Sequence, residues 1–115
     1  MDEPLNTIVG EYLSSVEFVM DYVQLRFCGP CLTINAPIVV TVMGTRFKQG
    51  SPCYRGRLCE RIGQTVQRAF TVDDEKIIIE FRDHSEVEIS LKPEERVSPE
   101  AAEFVDREKQ IHVIW

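Results

Sequence analysis

The sequence predicts an α+β fold, with about six mainly antiparallel strands forming a sheet or partly closed barrel and two helices packed on it. Three observations point there. Two stretches of period-two alternation flank short polar turns, which is the pattern of half-buried hairpins. Two Ser-Pro pairs, Ser51-Pro52 and Ser98-Pro99, stand where helices would begin. The second half of the chain also repeats much of the pattern of the first. The 115 residues suit one domain, residues 1–115, large enough to bury a core without covalent staples.

The elements follow in order. Val9-Gly10-x-x-Leu13 leads into Val23, Leu25 and Phe27, which alternate with Gln24 and Arg26. After Gly29-Pro30, Leu32 and Ile34 alternate with Thr33 and Asn35 to complete the first hairpin. Ile38-Val39-Val40-Thr41-Val42 reads as a further strand. Ser51 as N-cap and Pro52 at the first helical position predict a helix over 52–61, weakened by Gly56. Ile62-Gly63-x-x-Val66 then repeats the lead-in. Ile77, Ile79 and Phe81 pair across Asp83-His84-Ser85 with Val87, Ile89 and Leu91 as the second hairpin. Ser98-Pro99 predicts a second helix over 99–107, with Ala101, Ala102, Phe104 and Val105 on its apolar face. Residues 111–115 form a short final strand. The matching lead-ins, hairpins and helix starts predict an internal duplication of a three-strand-plus-helix unit, with pseudo-repeats at about 8–61 and 62–108.

Composition bounds the function. Apolar residues make up 43% and charged residues 28%, as in ordinary globular domains, and the net charge is −6. That charge argues against nucleic acid or an anionic membrane as partner. No apolar run reaches the roughly 20 residues of a spanning helix. The acidic start Met1-Asp2-Glu3-Pro4 lacks the features of a signal peptide. A cytoplasmic location with reduced cysteines is expected. Bases concentrate between Gly44 and Phe70, while residues 71–108 hold 13 acids and 5 bases. A basic patch for a polyanion is one reading of this asymmetry; mutual neutralisation, within a monomer or across a dimer, is the expected one.

Cys28-Gly29-Pro30-Cys31 carries the spacing of a thioredoxin-type dithiol. Such a site needs its first cysteine at a helix N-terminus. Leu32-Thr33-Ile34-Asn35-Ala36-Pro37 reads instead as strand and loop. With Gly29-Pro30 as a two-residue loop, Cys28 and Cys31 would face each other across the strands, where a disulfide would be strained and easily reduced. Thiol redox chemistry at Cys28 and Cys31 therefore stays open beside a plain turn. Zinc is not expected: Cys53 and Cys59 lack ligand spacing, and nothing in the sequence joins His84 or His112 to the cysteines. Cys59 reads as a small core residue. Glu80, Glu86 and Glu88 read as a solvated sheet face, and His84 as a turn residue. The chain has no phosphate loop, metalloprotease motif or nucleophile elbow, so neither a catalytic set nor a cofactor is expected. Tyr12, Tyr22, Tyr54, Phe47 and Trp115 exceed what the alternating faces require and are candidates for a partner surface.

The run Ile77 to Leu91, the exit Ser90-Leu91-x-Pro93-Glu94, Ser98-Pro99-Glu100-Ala101-Ala102-x-Phe104 and the stretch Val16 to Leu25 resemble a family of small uncharacterised bacterial proteins. That resemblance implies a bacterial cytosolic source and no activity. The expected function is a non-catalytic protein-interaction module, with a protein partner or a second copy in a homodimer. An immunity protein against a secreted toxin would be one form of it. The alternatives are a thiol redox protein using Cys28 and Cys31, and a small-ligand binder with its pocket between the two repeats.

Overall fold

A computed structural model describes residues 3–96 and 98–115. Among them are ten strands: β1 (Ser15–Val19), β2 (Tyr22–Arg26), β3 (Cys31–Ile34), β4 (Ile38–Val42), β5 (Thr45–Lys48), β6 (Val66–Val72), β7 (Lys76–Phe81), β8 (Glu86–Ser90), β9 (Ala102–Asp106) and β10 (Ile111–Ile114). One α-helix, α1 (Tyr54–Cys59), accompanies them, with 3-10 turns at Pro4–Ile8 and Pro93–Glu95. The predicted α+β fold with two helices is thus corrected to a mostly β fold. Its two five-stranded antiparallel sheets run β1-β2-β3-β9-β10 and β5-β4-β8-β7-β6, and neither forms a closed barrel.

Both predicted hairpins are present. In the second, Ile77 pairs with Ile89 and Ile79 with Val87, which places their side chains on one buried face. In the first, Val23 pairs with Ile34 and Leu25 with Leu32. The inner faces of both sheets meet in one apolar core that includes Leu25, Leu32, Phe104, Ile38, Ile79 and Val87, all fully buried. A one-residue slip in any of these strands would turn its apolar set outward.

The predicted helix over 99–107 is a strand. Ala102, Phe104 and Asp106 are buried while Glu103 and Val105 are only half-buried, a period of two rather than 3.6. β3 offers this segment an open ladder, and β9 fills it through Leu32–Phe104 and Ile34–Ala102. The Ser98 hydroxyl donates to the Glu100 carbonyl at 2.7 Å and caps no helix. The predicted helix over 52–61 shrinks to the six residues of α1. Ser51 is not its cap: its hydroxyl donates to the Lys48 carbonyl, and Cys53 holds the cap position with a left-handed φ of 72°.

The unit of three strands and a helix gives way to a different one. Each half opens on a short helical turn, continues as a three-strand meander, and then sends a hairpin into the opposite sheet. Strands β4 and β5 join β8, and β9 and β10 join β3. The helical turn of the second half is α1, so α1 belongs with the strands that follow it rather than those before it.

Matched hydrogen bonds relate the halves. Gly10 N donates to Val66 O at 2.9 Å, and Gly63 N to Leu13 O at 2.7 Å. Leu13 N donates to Gln64 O at 3.0 Å, and Val66 N to Glu11 O at 2.8 Å. Tyr12 and Thr65 bridge between them. At the two crossovers, Asn35 N bonds Ala101 O and Ser90 N bonds Pro37 O. These bonds make Gly63 the counterpart of Gly10 and Val66 the counterpart of Leu13, about a local two-fold near Tyr12.

Candidate functional site

A cleft of about 740 Å³ lies where the first half meets the helix that opens the second. Its walls are the β1–β2 turn, the β3–β4 crossover, and the loop from Gln49 to Cys53. Tyr54, Arg55, Gly56 and Glu95 come from the second half. The residues between β5 and α1 read locally as loop for a clear reason: Gly50 at φ 91° and Cys53 at φ 72° both leave the right-handed helical region.

Tyr54 is the unusual residue of this cleft. It is 3% exposed, and its ring meets Phe18 edge-on at 6.4 Å between centroids. Its hydroxyl is buried and has no hydrogen-bond partner. Burial pushes the phenol up to about 12, against a lowering by the neighbouring Arg55 charge, so the hydroxyl stays protonated at neutral pH. A buried hydroxyl without a partner costs about 1–3 kcal/mol. Arg55 stands over the Phe18 ring, its guanidinium carbon 5.3 Å from the centroid. Among the described residues Arg55 enters no ion pair, unlike Arg26, Arg46, Arg57, Arg61 and Arg68. Two carboxylates, Asp21 and Glu95, also line the cleft and are likewise outside the ion pairs of the described residues.

The predicted candidates are scattered. Tyr22 and Tyr54 share the cleft. Tyr12 is 50% exposed near the local two-fold, and Phe47 lies under Arg57 on edge strand β5. Trp115 packs against the core after β10, its amide bonded to Ala102 O. The five do not form a single patch of exposed aromatics, since Tyr54 is buried and Tyr22, Phe47 and Trp115 are half-buried.

The first hairpin tip also departs from expectation. Phe27 N donates to Pro30 O at 2.8 Å, so the two loop residues are Cys28 and Gly29, both with positive φ. Cys31 therefore pairs with Arg26 and does not face Cys28. All four cysteines are free thiols, and a strand rather than a helix follows Cys31. The exposed Cys28 thiol donates to the Tyr12 carbonyl at 3.8 Å and raises the Tyr12 phenol by hydrogen bonding. Cys59, expected in the core, is exposed at the end of α1. No cluster of metal-ligating side chains occurs among the described residues.

Sequence reasoning missed two sites of buried charge. Arg61 is 5% exposed, donates to Asp83 at 2.8 Å, and also reaches the Arg57 carbonyl. Burial opposes ionisation of Asp83, but hydrogen bonds from the Ser85 hydroxyl and amide and the Arg61 charge outweigh it and hold the carboxyl below its usual range. Asp106, buried on β9, accepts from the Thr7 hydroxyl and the Lys109 amide. Both are structural clasps. Only the tertiary fold reveals them, because each joins residues from separate elements.

No helix among the described residues is long and apolar enough to cross a membrane. No protein-family model, curated protein or solved structure matches the chain.

Proposed function

We propose that this protein is a binding module whose small ligand occupies the cleft between the two halves. The observation that carries this reading is the Tyr54 hydroxyl, protonated, buried and without a partner, on a residue that lines the cleft. Natural cores seldom leave such a group without a protein, water or ligand partner. A ligand oxygen or nitrogen that reaches it returns the desolvation cost. The cleft volume falls within the range of about 300–1,000 Å³ common to small-molecule sites. Phe18, Val23, Ile34 and Ala36 give it an apolar lining, with a few polar groups at defined places.

This reading puts the site in one cavity rather than on the scattered aromatics. A protein partner would instead find Val9, Tyr12 and Ile62, each between 42% and 50% exposed around the local two-fold. That surface holds no comparable unpaired polar group, and the cleft is the better supported site.

Substituting Tyr54→Phe tests the reading through two opposite effects. Small-molecule fragments that bind the wild-type cleft lose affinity about tenfold, while the ligand-free variant gains about 1 kcal/mol in stability. Thermal melting and NMR titration measure the two. A variant that loses stability and binds fragments as before would sink the proposal.

A further inference from the structure

We propose that the ligand carries a carboxylate and an ammonium on an apolar body, as an amino acid or a short peptide does. This inference rests on the cleft being a ligand site. The charged groups of the cleft are one guanidinium and two carboxylates: Arg55, Asp21 and Glu95. None of the three is neutralised by an ion pair among the described residues.

Arg55 is held against the Phe18 face at 5.3 Å. A guanidinium on an aromatic face keeps its planar N–H edge available, and that edge matches a carboxylate with two parallel hydrogen bonds. Tyr54, its neighbour in the chain, lines the same cleft, and its buried hydroxyl is a donor without a partner. Asp21, at the β1–β2 turn, and Glu95, on the 3-10 turn Pro93–Glu95, supply acceptors for an ammonium.

Charge balance selects among ligand classes. A phosphate-like dianion would meet two carboxylates for each guanidinium, a net repulsive field. A ligand with only a positive charge would leave Arg55 unanswered. A molecule with both charges satisfies all three groups. Its apolar body rests on Phe18, Ile34 and Ala36. A free amino acid and a short peptide offer the same two end groups, and the cleft volume admits either.

The test uses the intact chain and four probes: phenylalanine, the dipeptide Leu-Phe, its N-acetyl form and its C-terminal amide. Binding is followed by calorimetry and by amide NMR shifts in residues 19–23 and 50–56, together with a fragment library as reference. Phenylalanine or the dipeptide, or both, is expected to bind there. Acetylation and amidation of the dipeptide each weaken binding tenfold or more if the peptide is the source. If only phenylalanine binds, its N-acetyl and amide forms serve as the same comparison. Arg55→Gln is expected to abolish the difference between free acid and amide, and Asp21→Asn to narrow that between free amine and N-acetyl form. Both side chains are exposed, so melting curves close to wild type are expected and verify the fold. If neither free probe shifts these amides while library fragments do, or if both caps leave affinity unchanged, the ligand class is wrong and the cleft reading stands. If nothing shifts them, both proposals fail.

Discussion

At the scale of single residues, the fold keeps its buried polar groups in two different conditions. Buried Arg61, Ser85 and Asp106 are joined in hydrogen-bonded clasps with the exposed Asp83 and the half-buried Thr7. Among the described residues the Tyr54 hydroxyl and the Arg96 Nε are left without a partner. The Asp83 carboxyl ionises below its usual range in the folded protein. Its contribution to stability is therefore complete above the unfolded carboxylate value near 3.9 and is lost as pH falls through the lower folded value. Asp83→Asn is expected to cost about 1–3 kcal/mol at neutral pH, because Arg61 keeps its burial and loses its closest charge partner. Urea unfolding at pH 7 and at pH 3 measures this. The gap between variant and wild type should shrink at the lower pH. A gap that widens on acidification would contradict the clasp. Tyr54→Phe should also remove a phenol that titrates near 12 in the ultraviolet absorbance of the folded protein.

At the scale of elements, strict alternation made β2, β3, β7 and β8 legible in the sequence. β2, β3 and β8 each bury one face, β7 buries Ile78 as well as Ile77 and Ile79, and the pairs Ile77–Ile89 and Ile79–Val87 set the register. β9 was not legible, because Ala101-Ala102 and the buried Asp106 obscure its period. A short segment with four apolar residues follows the ladder available to it, and here β3 supplies that ladder. Neither Ser-Pro pair caps a helix, since Ser51 and Ser98 spend their hydroxyls on nearby carbonyls. Of the cleft, only Tyr54 and Tyr22 stood out beforehand, as surplus aromatics. Phe18 and Asp21 on the β1–β2 hairpin, Arg55 and Glu95 come together from three separate places, so no local pattern announces them. Gly63 tests the element junction. Its φ of 92° favours glycine, and its amide donates to Leu13 O across the halves. Gly63→Ala is expected to cost about 1 kcal/mol or more in chemical denaturation, although an added Cβ meets no atom within 4 Å. An unchanged midpoint would count against the strained junction.

At the scale of the whole molecule, hairpin exchange ties the halves together. Neither sheet belongs to one half: β9 and β10 complete the first, and β4 and β5 the second. The matched bonds around Tyr12 and Thr65 join the halves a second time. Unfolding should be a single cooperative transition, with Trp115 fluorescence and backbone circular dichroism giving one midpoint. Separate midpoints would mean that the halves are independent. The cleft inherits this arrangement, since its walls come from both halves. An NMR titration of the intact chain with a cleft-binding fragment or the dipeptide Leu-Phe tests the central claim most directly. The account predicts that amides of residues 19–23, from the first half, and 54–56, from the second, shift together with one dissociation constant. Shifts confined to one half, or located away from the cleft, would contradict it.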